Sequence, residues 1–412
     1  MMSNLIFRVK TAAHDLTFVF AVAVQRIWRL SSRTLRIGIT GSAGKSTTRA
    51  LLGEILRLRG KTRSPDDNGF RQLSRRALSA GPWFRYWVQE LATARPGTLA
   101  DTLKIFKPHI AIVTAIGDDH YTAFRSREAI AREKHTLVSA LPPGGWAVLN
   151  ADDPLVHNML IPTEARRLSF GRAPVADLRA ISSSSVWGKG YSLEVAYQEN
   201  RITLQTGLVG EHWETAVLAA VGGALAAGLS LEDCRAALAG VQPLNGRLSV
   251  HPSRGGITFL RDDWKAPLWS LELAFQALKT AGSGRKIAVI GTLSDYSGSA
   301  SKKYRRAART ALETADVVIF IGGYAANARK AAPENERLLA FQNLYEVHEY
   351  LEKILRRGDV VLLKGSLIAD HLQRLLLARD GDHACWRARC GRIYPCTECS
   401  LRMNFSVPEL NP

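Results

Sequence analysis

The chain has 412 residues, 46% of them apolar, and a formal net charge of +18. That much apolar side chain supports two or three domains with their own cores, which excludes a largely disordered chain. The positive balance points to an anionic substrate, an acidic membrane surface or nucleic acid, but the arginines are spread along the chain and accompany no single-strand RNA or DNA signature, so nucleic acid is set aside.

Near the N-terminus, Leu16 to Val24 is apolar but shorter than the roughly 20 residues a spanning helix needs. Arg8, Lys10, Arg26, Arg29 and Arg33 flank it. Residues 1–34 therefore read as a helix that is either interfacial, against a membrane, or packed on the body of the protein. No small-residue cleavage site precedes Arg26, which argues against a cleaved signal.

From Leu35 short apolar runs alternate with helical patterns: Leu35 to Thr40, Ser46 to Arg59, Tyr86 to Leu91, His109 to Ala115. This is the rhythm of a parallel sheet covered by helices. Ser182 to Leu208 reads as short alternating strands and Glu211 to Ala239 as two helices broken at Gly228. After Gln242-Pro-Leu-Asn-Gly-Arg247 a second series begins, with strands at Ile257 to Leu260, Lys286 to Gly291, Val317 to Ile321 and Asp359 to Leu363. The expected organisation is a central α/β domain over 35–245, a second, Rossmann-like α/β domain over 246–380 and a cysteine-rich tail over 381–412.

Ile37-Gly-Ile-Thr-Gly-Ser-Ala-Gly-Lys-Ser-Thr47 sets a glycine turn, a lysine and two hydroxyls between a strand and a helix. Glycines let backbone N–H groups approach phosphate oxygens and the helix N-terminus adds favourable partial charge. Thr40, Gly41, Ser42, Ala43, Gly44, Lys45, Ser46 and Thr47 are thus expected to cradle the phosphates of ATP, with Lys45 on the terminal phosphates and Ser46 on Mg2+. Ile39 stands where the common phosphate loop has its first glycine, so the form here is the shorter Thr-Gly-x-x-Gly-Lys-Ser.

In Trp87-Val-Gln-Glu-Leu91 a carboxylate, Glu90, comes at the C-terminal end of a strand, where α/β sheets hold ligands. Val113-Thr-Ala-Ile-Gly-Asp-Asp-His120, Arg132-Glu-Lys134 and Gly144-Gly-Trp-Ala-Val-Leu-Asn-Ala-Asp-Asp-Pro154 follow. In this order and spacing, behind that phosphate loop, the segments resemble the central domain of the Mur ligase family.

The resemblance runs from about Arg36 to Leu377. It implies an ATP-dependent ligase that activates a carboxylate as an acyl phosphate and joins it to an amine, with nucleotide held between the central and C-terminal domains. By position it implies Glu90 and His120 as magnesium ligands and Lys134 as a lysine that becomes carbamylated. Asn245-Gly-Arg247 resembles the family's Pro-Gly-Arg, giving Arg247 to the nucleotide phosphates. Asp262-Asp-Trp-Lys-Ala-Pro267 resembles the acidic element that follows, giving Asp263 and Lys265 to nucleotide binding. Gly358-Asp-Val-Val-Leu-Leu-Lys-Gly-Ser366 looks like a segment of the member that adds D-alanyl-D-alanine to the muramoyl tripeptide.

Two departures bear on substrate. Only about 35 residues precede the phosphate loop, where the cell-wall enzymes carry a UDP-sugar domain, so a UDP-linked muramoyl peptide bound in the usual way is not expected. The family's two asparagines after Gly210 fall on Trp213 and Ala216, so adenine contacts should differ, with Trp213 a candidate for stacking. Substrates are expected to be a small-molecule or peptide carboxylate and an amine, handled in the cytoplasm. A poly-glutamate or specialised-metabolite ligase and a non-catalytic nucleotide-dependent partner are the competing readings.

Four of the five cysteines fall in the tail: Cys385, Cys390, Cys396 and Cys399. Their spacing admits a structural Zn2+ site, free thiols or a redox pair. Cys234, in a helical pattern, is expected in the core.

Overall fold

The computed structural model describes residues 2–31, 33–66, 69–117, 121–162, 164–296, 298–387 and 390–403. Two compact units are present, one formed by residues 1–184, 191–207 and 211–241, the other by 185–190, 208–210 and 242–412.

The first unit opens with helix α1 (Met2–Ser31), then β1 (Leu35–Thr40), α2 (Lys45–Arg57), β2 (Thr62–Arg63), α3 (Phe70–Ala77), β3 (Tyr86–Glu90), α4 (Thr98–Ile105) and β4 (Ile110–Val113). It continues through α5 (Tyr121–Phe124), α6 (Arg127–Ser139), β5 (Trp146–Asn150), α7 (Pro154–His157), β6 (Arg166–Gly171), β7 (Leu178–Val186), β8 (Gly190–Tyr197), β9 (Asn200–Thr206), α8 (Glu214–Ala226) and α9 (Leu231–Leu238). These strands form one nine-stranded sheet in the order β2-β3-β1-β4-β5-β6-β7-β8-β9. It is parallel from β2 to β7, and β8 pairs with β9 antiparallel.

β3 and β4 are buried along their whole length, which is why β4 and Tyr86 to Val88 of β3 read as unbroken apolar runs rather than alternating ones. Trp87 meets Phe106 edge-on at 4.9 Å beneath them. Local chemistry sets the helix ends. Ser126 Oγ accepts from Ala129 N to start α6, and Ser230 with Asp233 closes a capping box on α9. Gly228, at φ +87°, ends α8 with its N–H on Leu225 and that of Leu229 on Ala224, a left-handed stop that glycine adopts without strain. Cys234 is fully buried in α9 as expected, and burial pushes its thiol up to about 12.

Helix α1 does two things at once. Ala21 and Gln25 are buried, Gln25 Nε2 donates to the carbonyls of Ala77 (2.7 Å) and Ala80 (3.2 Å), and Phe18 packs on Phe70. One face is therefore fixed to the unit, while Leu16, Val19, Phe20, Ile27 and Leu30 on other faces stay exposed. Among the described residues no helix is long and apolar enough to cross a membrane.

The second unit contains β10 (Ser249–Ser253), β11 (Ile257–Asp262), α10 (Leu271–Thr280), β12 (Lys286–Ile290), α11 (Ala300–Leu312), β13 (Val317–Ile321), α12 (Ala325–Arg329), β14 (Leu338–Phe341), α13 (Leu344–Ile354), β15 (Val360–Lys364) and α14 (Gln373–Arg379). Its six-stranded sheet has the order β10-β11-β15-β12-β13-β14, parallel except for the edge pair β10–β11. β15, the last strand in the sequence, is inserted between β11 and β12, so the loops leaving three neighbouring strands gather at one edge of the sheet. The tail packs on this unit through Trp386, which stacks on His348 at 4.7 Å and meets Tyr345 edge-on.

Candidate active site

The phosphate loop leaves β1 at Thr40 and enters α2 at Lys45. Gly44 caps α2 in the left-handed conformation, φ +77°, and Gly41 sits at φ +147°. A Cβ on Gly41 would lie 1.9 Å from Thr114 Oγ1. That hydroxyl is fixed, donating to Ala43 O at 2.6 Å, so only glycine fits there. Ser42 N donates to Ala115 O at 2.8 Å and Gly117 N to Ser42 Oγ at 2.7 Å. The loop is thereby tied to the end of β4, and Lys45 Nζ donates back to Gly41 O at 2.5 Å.

The register of β1 against β3 sets Ile39 opposite Glu90, which carries the Glu90 carboxylate to the same sheet edge as the loop. Ser46 Oγ donates to Glu90 Oε2 at 2.7 Å, and Glu90 is only 3% exposed. A hydroxyl and a carboxylate side by side beneath a phosphate loop are hard oxygen donors of the kind Mg2+ takes. His120 lies outside the described residues.

Lys134, in α6, is buried and donates from Nζ to Thr93 Oγ1 at 3.0 Å, three residues beyond Glu90. A lysine is almost never buried this deeply without a task or a partner. Its neighbour Glu133 points elsewhere, accepting from the N–H groups of Gly97 and Leu99 at the start of α4. The triple Arg132-Glu-Lys134 thus divides its charges between a helix cap and the interior.

The run ending in Asp152-Asp-Pro154 was picked out from sequence without roles for its residues. Asn150 Nδ2 donates to Thr114 O (2.7 Å), Asp153 accepts from Ile116 N (2.6 Å), and Asp152 accepts from the N–H groups of Arg172 and Ala173. The Asn-Ala-Asp-Asp run after β5 is therefore a clamp on the strand ends beside the loop. Polar residues in a row at a strand end were the available signal. Ala216, on one of the two asparagine positions, packs in α8 with its Cβ 3.6 Å from where a Gly44 Cβ would be, so a small residue brings α8 against the loop. Trp213 lies just before α8, against His212 at 4.5 Å.

In the second unit Arg247 is half-buried, its guanidinium 6.0 Å from the Trp264 ring centroid. Asp263 is buried and ion-paired with Arg261, and burial raises its carboxyl above the usual range against the opposing pull of Arg261. Asp262 takes the buried Lys364, whose Nζ also donates to Lys265 O, while the Lys265 side chain is exposed. Asp370 Oδ2 accepts from Thr292 N and Ser366 N, and Oδ1 from Thr292 Oγ1, joining the loops after β12 and β15.

Of the four tail cysteines, Cys385 and Cys396 are buried and Cys390 and Cys399 half-buried. Cys396 Sγ lies 3.5 Å from His371 Nδ1, and Cys385 O accepts from His383 Nε2. Among the described residues no three His, Cys, Asp or Glu side chains converge as metal ligands.

The family model of the Mur ligase middle domain matches residues 39–224, and that of the Mur ligase glutamate ligase domain matches residues 246–367. The UDP-N-acetylmuramoyl-tripeptide–D-alanyl-D-alanine ligase of Mycobacterium leprae is 31% identical over 365 residues, covering 80% of this chain and 70% of the relative. That of Bacillus subtilis is 23% identical over 338 residues, covering 80% and 72%. MurF from Acinetobacter baumannii superposes with a TM-score of 0.81 at 24% identity, covering 89% of this chain and 80% of that one. The MurF ligase from Thermotoga maritima, solved in complex with ADP, gives 0.76 at 21% identity, covering 90% and 84%; both likenesses concern the fold. With a phosphate loop and a strand-end glutamate at one sheet edge, a helix lysine buried on Thr93 just past that glutamate, and both family domains matched in order, the chain belongs to the Mur ligase family.

Proposed function

We propose that the protein is an ATP-dependent amide-bond ligase that forms an acyl phosphate and releases ADP and phosphate. The carrying observation is the Ser46–Glu90 pair at the mouth of the phosphate loop. The loop's backbone N–H groups and Lys45 hold the phosphates, and Ser46 and Glu90, with His120 added by position, would hold Mg2+. When bound, the ion supplies charge neutralisation at the phosphoryl oxygens.

A substrate carboxylate oxygen attacks the terminal phosphorus of ATP and the bond to the bridging oxygen breaks, leaving ADP. An amine then attacks the acyl carbon, phosphate departs and the amine proton is lost. We assign Arg247 and Lys265 to stabilising phosphoryl charge and Asp263 to holding their turn through Arg261. Lys134 is proposed to act as its carbamate, converting a buried cation into an anion; the Thr93 hydroxyl, which accepts from Nζ in the amine form, would donate to the carbamate. The acid is proposed to be an amino acid or peptide carboxylate, and the amine an amino acid or dipeptide, with D-alanyl-D-alanine the first to try. The proposed setting is the cytoplasm, peripheral to the inner membrane face.

The test is phosphate release from ATP by the purified protein, with and without bicarbonate, against pairs of carboxylates and amines including muramoyl peptides. Pair-dependent release of ADP is expected. Lys134→Ala is expected to lose turnover while keeping nearly the same ATP affinity, and full activity in that variant would overturn the assignment.

A further inference from the structure

We propose that α1 and α3 together form a docking face for an anionic bilayer surface. This deepens the membrane-peripheral placement proposed above and is independent of the ligase chemistry.

Along α1 the exposed residues Leu16, Phe20, Ala23, Ile27 and Leu30 follow one another at intervals of four and three, a single stripe on a helix. Leu30 is 90% exposed, and Leu16, Phe20 and Ile27 lie between 56% and 64%. Scattered exposed apolar residues need no explanation, but a continuous stripe does. It cannot be relieved by rolling the helix, because the other side is fixed by Gln25 on the carbonyls of Ala77 and Ala80 and by Arg29 on Ile105 O at 3.4 Å.

Beside the stripe, Trp28 packs edge-on against Trp83 at 5.5 Å, and Trp83 is 54% exposed. An indole half in and half out of the protein suits the headgroup layer, where its ring is apolar and its N–H is wet. Arg26 and Arg33 are exposed near the same end of α1, and α3 exposes Arg71 and Arg75. From Leu16 to Gly53 the sequence has no Asp or Glu, and α3 has none.

That charge pattern chooses the occupant. Two copies paired through the stripe would gather Arg26 and Arg33 of both chains at one interface, with Asp15 the only acid in α1 to offset them, the reverse of what a helix pair uses. Anionic headgroups complement the arginines, each favourable by a modest amount and screened by salt, while the stripe enters the acyl boundary. A 30-residue helix is about 45 Å long and lies in the plane of that surface.

The test is sedimentation of the full chain with vesicles of phosphatidylcholine alone and of phosphatidylcholine with about one-third phosphatidylglycerol, at low and rising salt. Binding only to the anionic vesicles, weakening with salt, is expected. The substitution pair Ile27→Glu and Leu30→Glu should lower that binding at least about tenfold. Both side chains are exposed, so the melting temperature and substrate-dependent phosphate release in vesicle-free buffer should stay unchanged, which separates this inference from the ligase reading. Absent vesicle binding, equal binding to neutral vesicles, or binding untouched by the pair would overturn it. So would a dimer by light scattering that the pair dissolves without any vesicle binding, which would give the stripe to a second copy.

Discussion

Ser46 Oγ donates to Glu90 Oε2 at 2.7 Å although the two residues are 44 positions apart, and the pairing of β1 with β3 is what brings them together. Neither group is needed to hold the strands, whose ladder is complete without them. Their adjacency is best explained by the oxygen ligands they offer a divalent cation. Glu90→Gln keeps the shape and the hydrogen-bonding oxygen but removes the charge. It is expected to lower substrate-dependent phosphate release by about 10²-fold or more and to raise the Mg2+ concentration needed for half-maximal rate, with melting nearly unchanged. Ser46→Ala should share the shift in Mg2+ requirement. A Glu90→Gln enzyme with wild-type Mg2+ dependence would remove Glu90 from the metal site.

Gly41→Ala tests the loop by sterics alone. The new Cβ would lie 1.9 Å from Thr114 Oγ1, which is held by Ala43 O, at a backbone φ of +147° that alanine avoids. The expected cost is about 1–3 kcal/mol in denaturant unfolding, with loss of ATP binding by titration calorimetry. Gly41→Ala with Thr114→Ala should recover part of the stability. If the single variant binds ATP normally, the loop adopts another path.

The sequence displayed most of the site because phosphate binding constrains neighbours. Thr40 to Thr47 are contiguous, and their spacing alone carries the chemistry. Glu90 was legible at a strand end, since a carboxylate closing an apolar run is unusual. Thr93 was not, because a Thr in a loop satisfies many local roles and only the fold shows that it accepts from Lys134, and although the run holding Asn150 was visible, only the fold shows that Asn150 ties the end of β5 to the residue after β4. The path of the tail was not legible either, because it is set by Trp386 against His348 and Tyr345, contacts that lie about 40 residues away in sequence.

Two histidines of the second unit give stability a sign with pH. His251 and His371 are both held down to about 4, chiefly by burial, with Arg261 and Arg374 respectively adding repulsion. In the unfolded chain each titrates near 6.5. Between those values the unfolded state binds protons that the folded state does not, so the contribution is full above about 6.5 and is lost as pH falls toward 4. The denaturant midpoint should drop from pH 7 to pH 5. His371→Asn with His251→Gln should flatten that drop, asparagine being chosen because position 371 has φ +50°. A wild-type midpoint that is level over this range would contradict the burial.

Asp370 holds two loops of the second unit by accepting three hydrogen bonds, yet burial keeps its carboxyl above the usual range. The unfolded carboxyl ionises first as pH rises, so stability falls with rising pH between the unfolded and folded values. Above both, the protein carries a buried carboxylate whose hydrogen bonds only partly offset desolvation. Asp370→Asn preserves the shape, can still accept from Thr292 N and Ser366 N, and can donate to Thr292 Oγ1. It should be close to wild type at pH 7 and should not share that pH-dependent loss. Asp370→Ala leaves buried donors without acceptors and should cost about 2–4 kcal/mol in denaturant unfolding. If the asparagine variant is as unstable as the alanine one at pH 7, charge rather than shape holds the loops, and the desolvation argument for Asp370 fails.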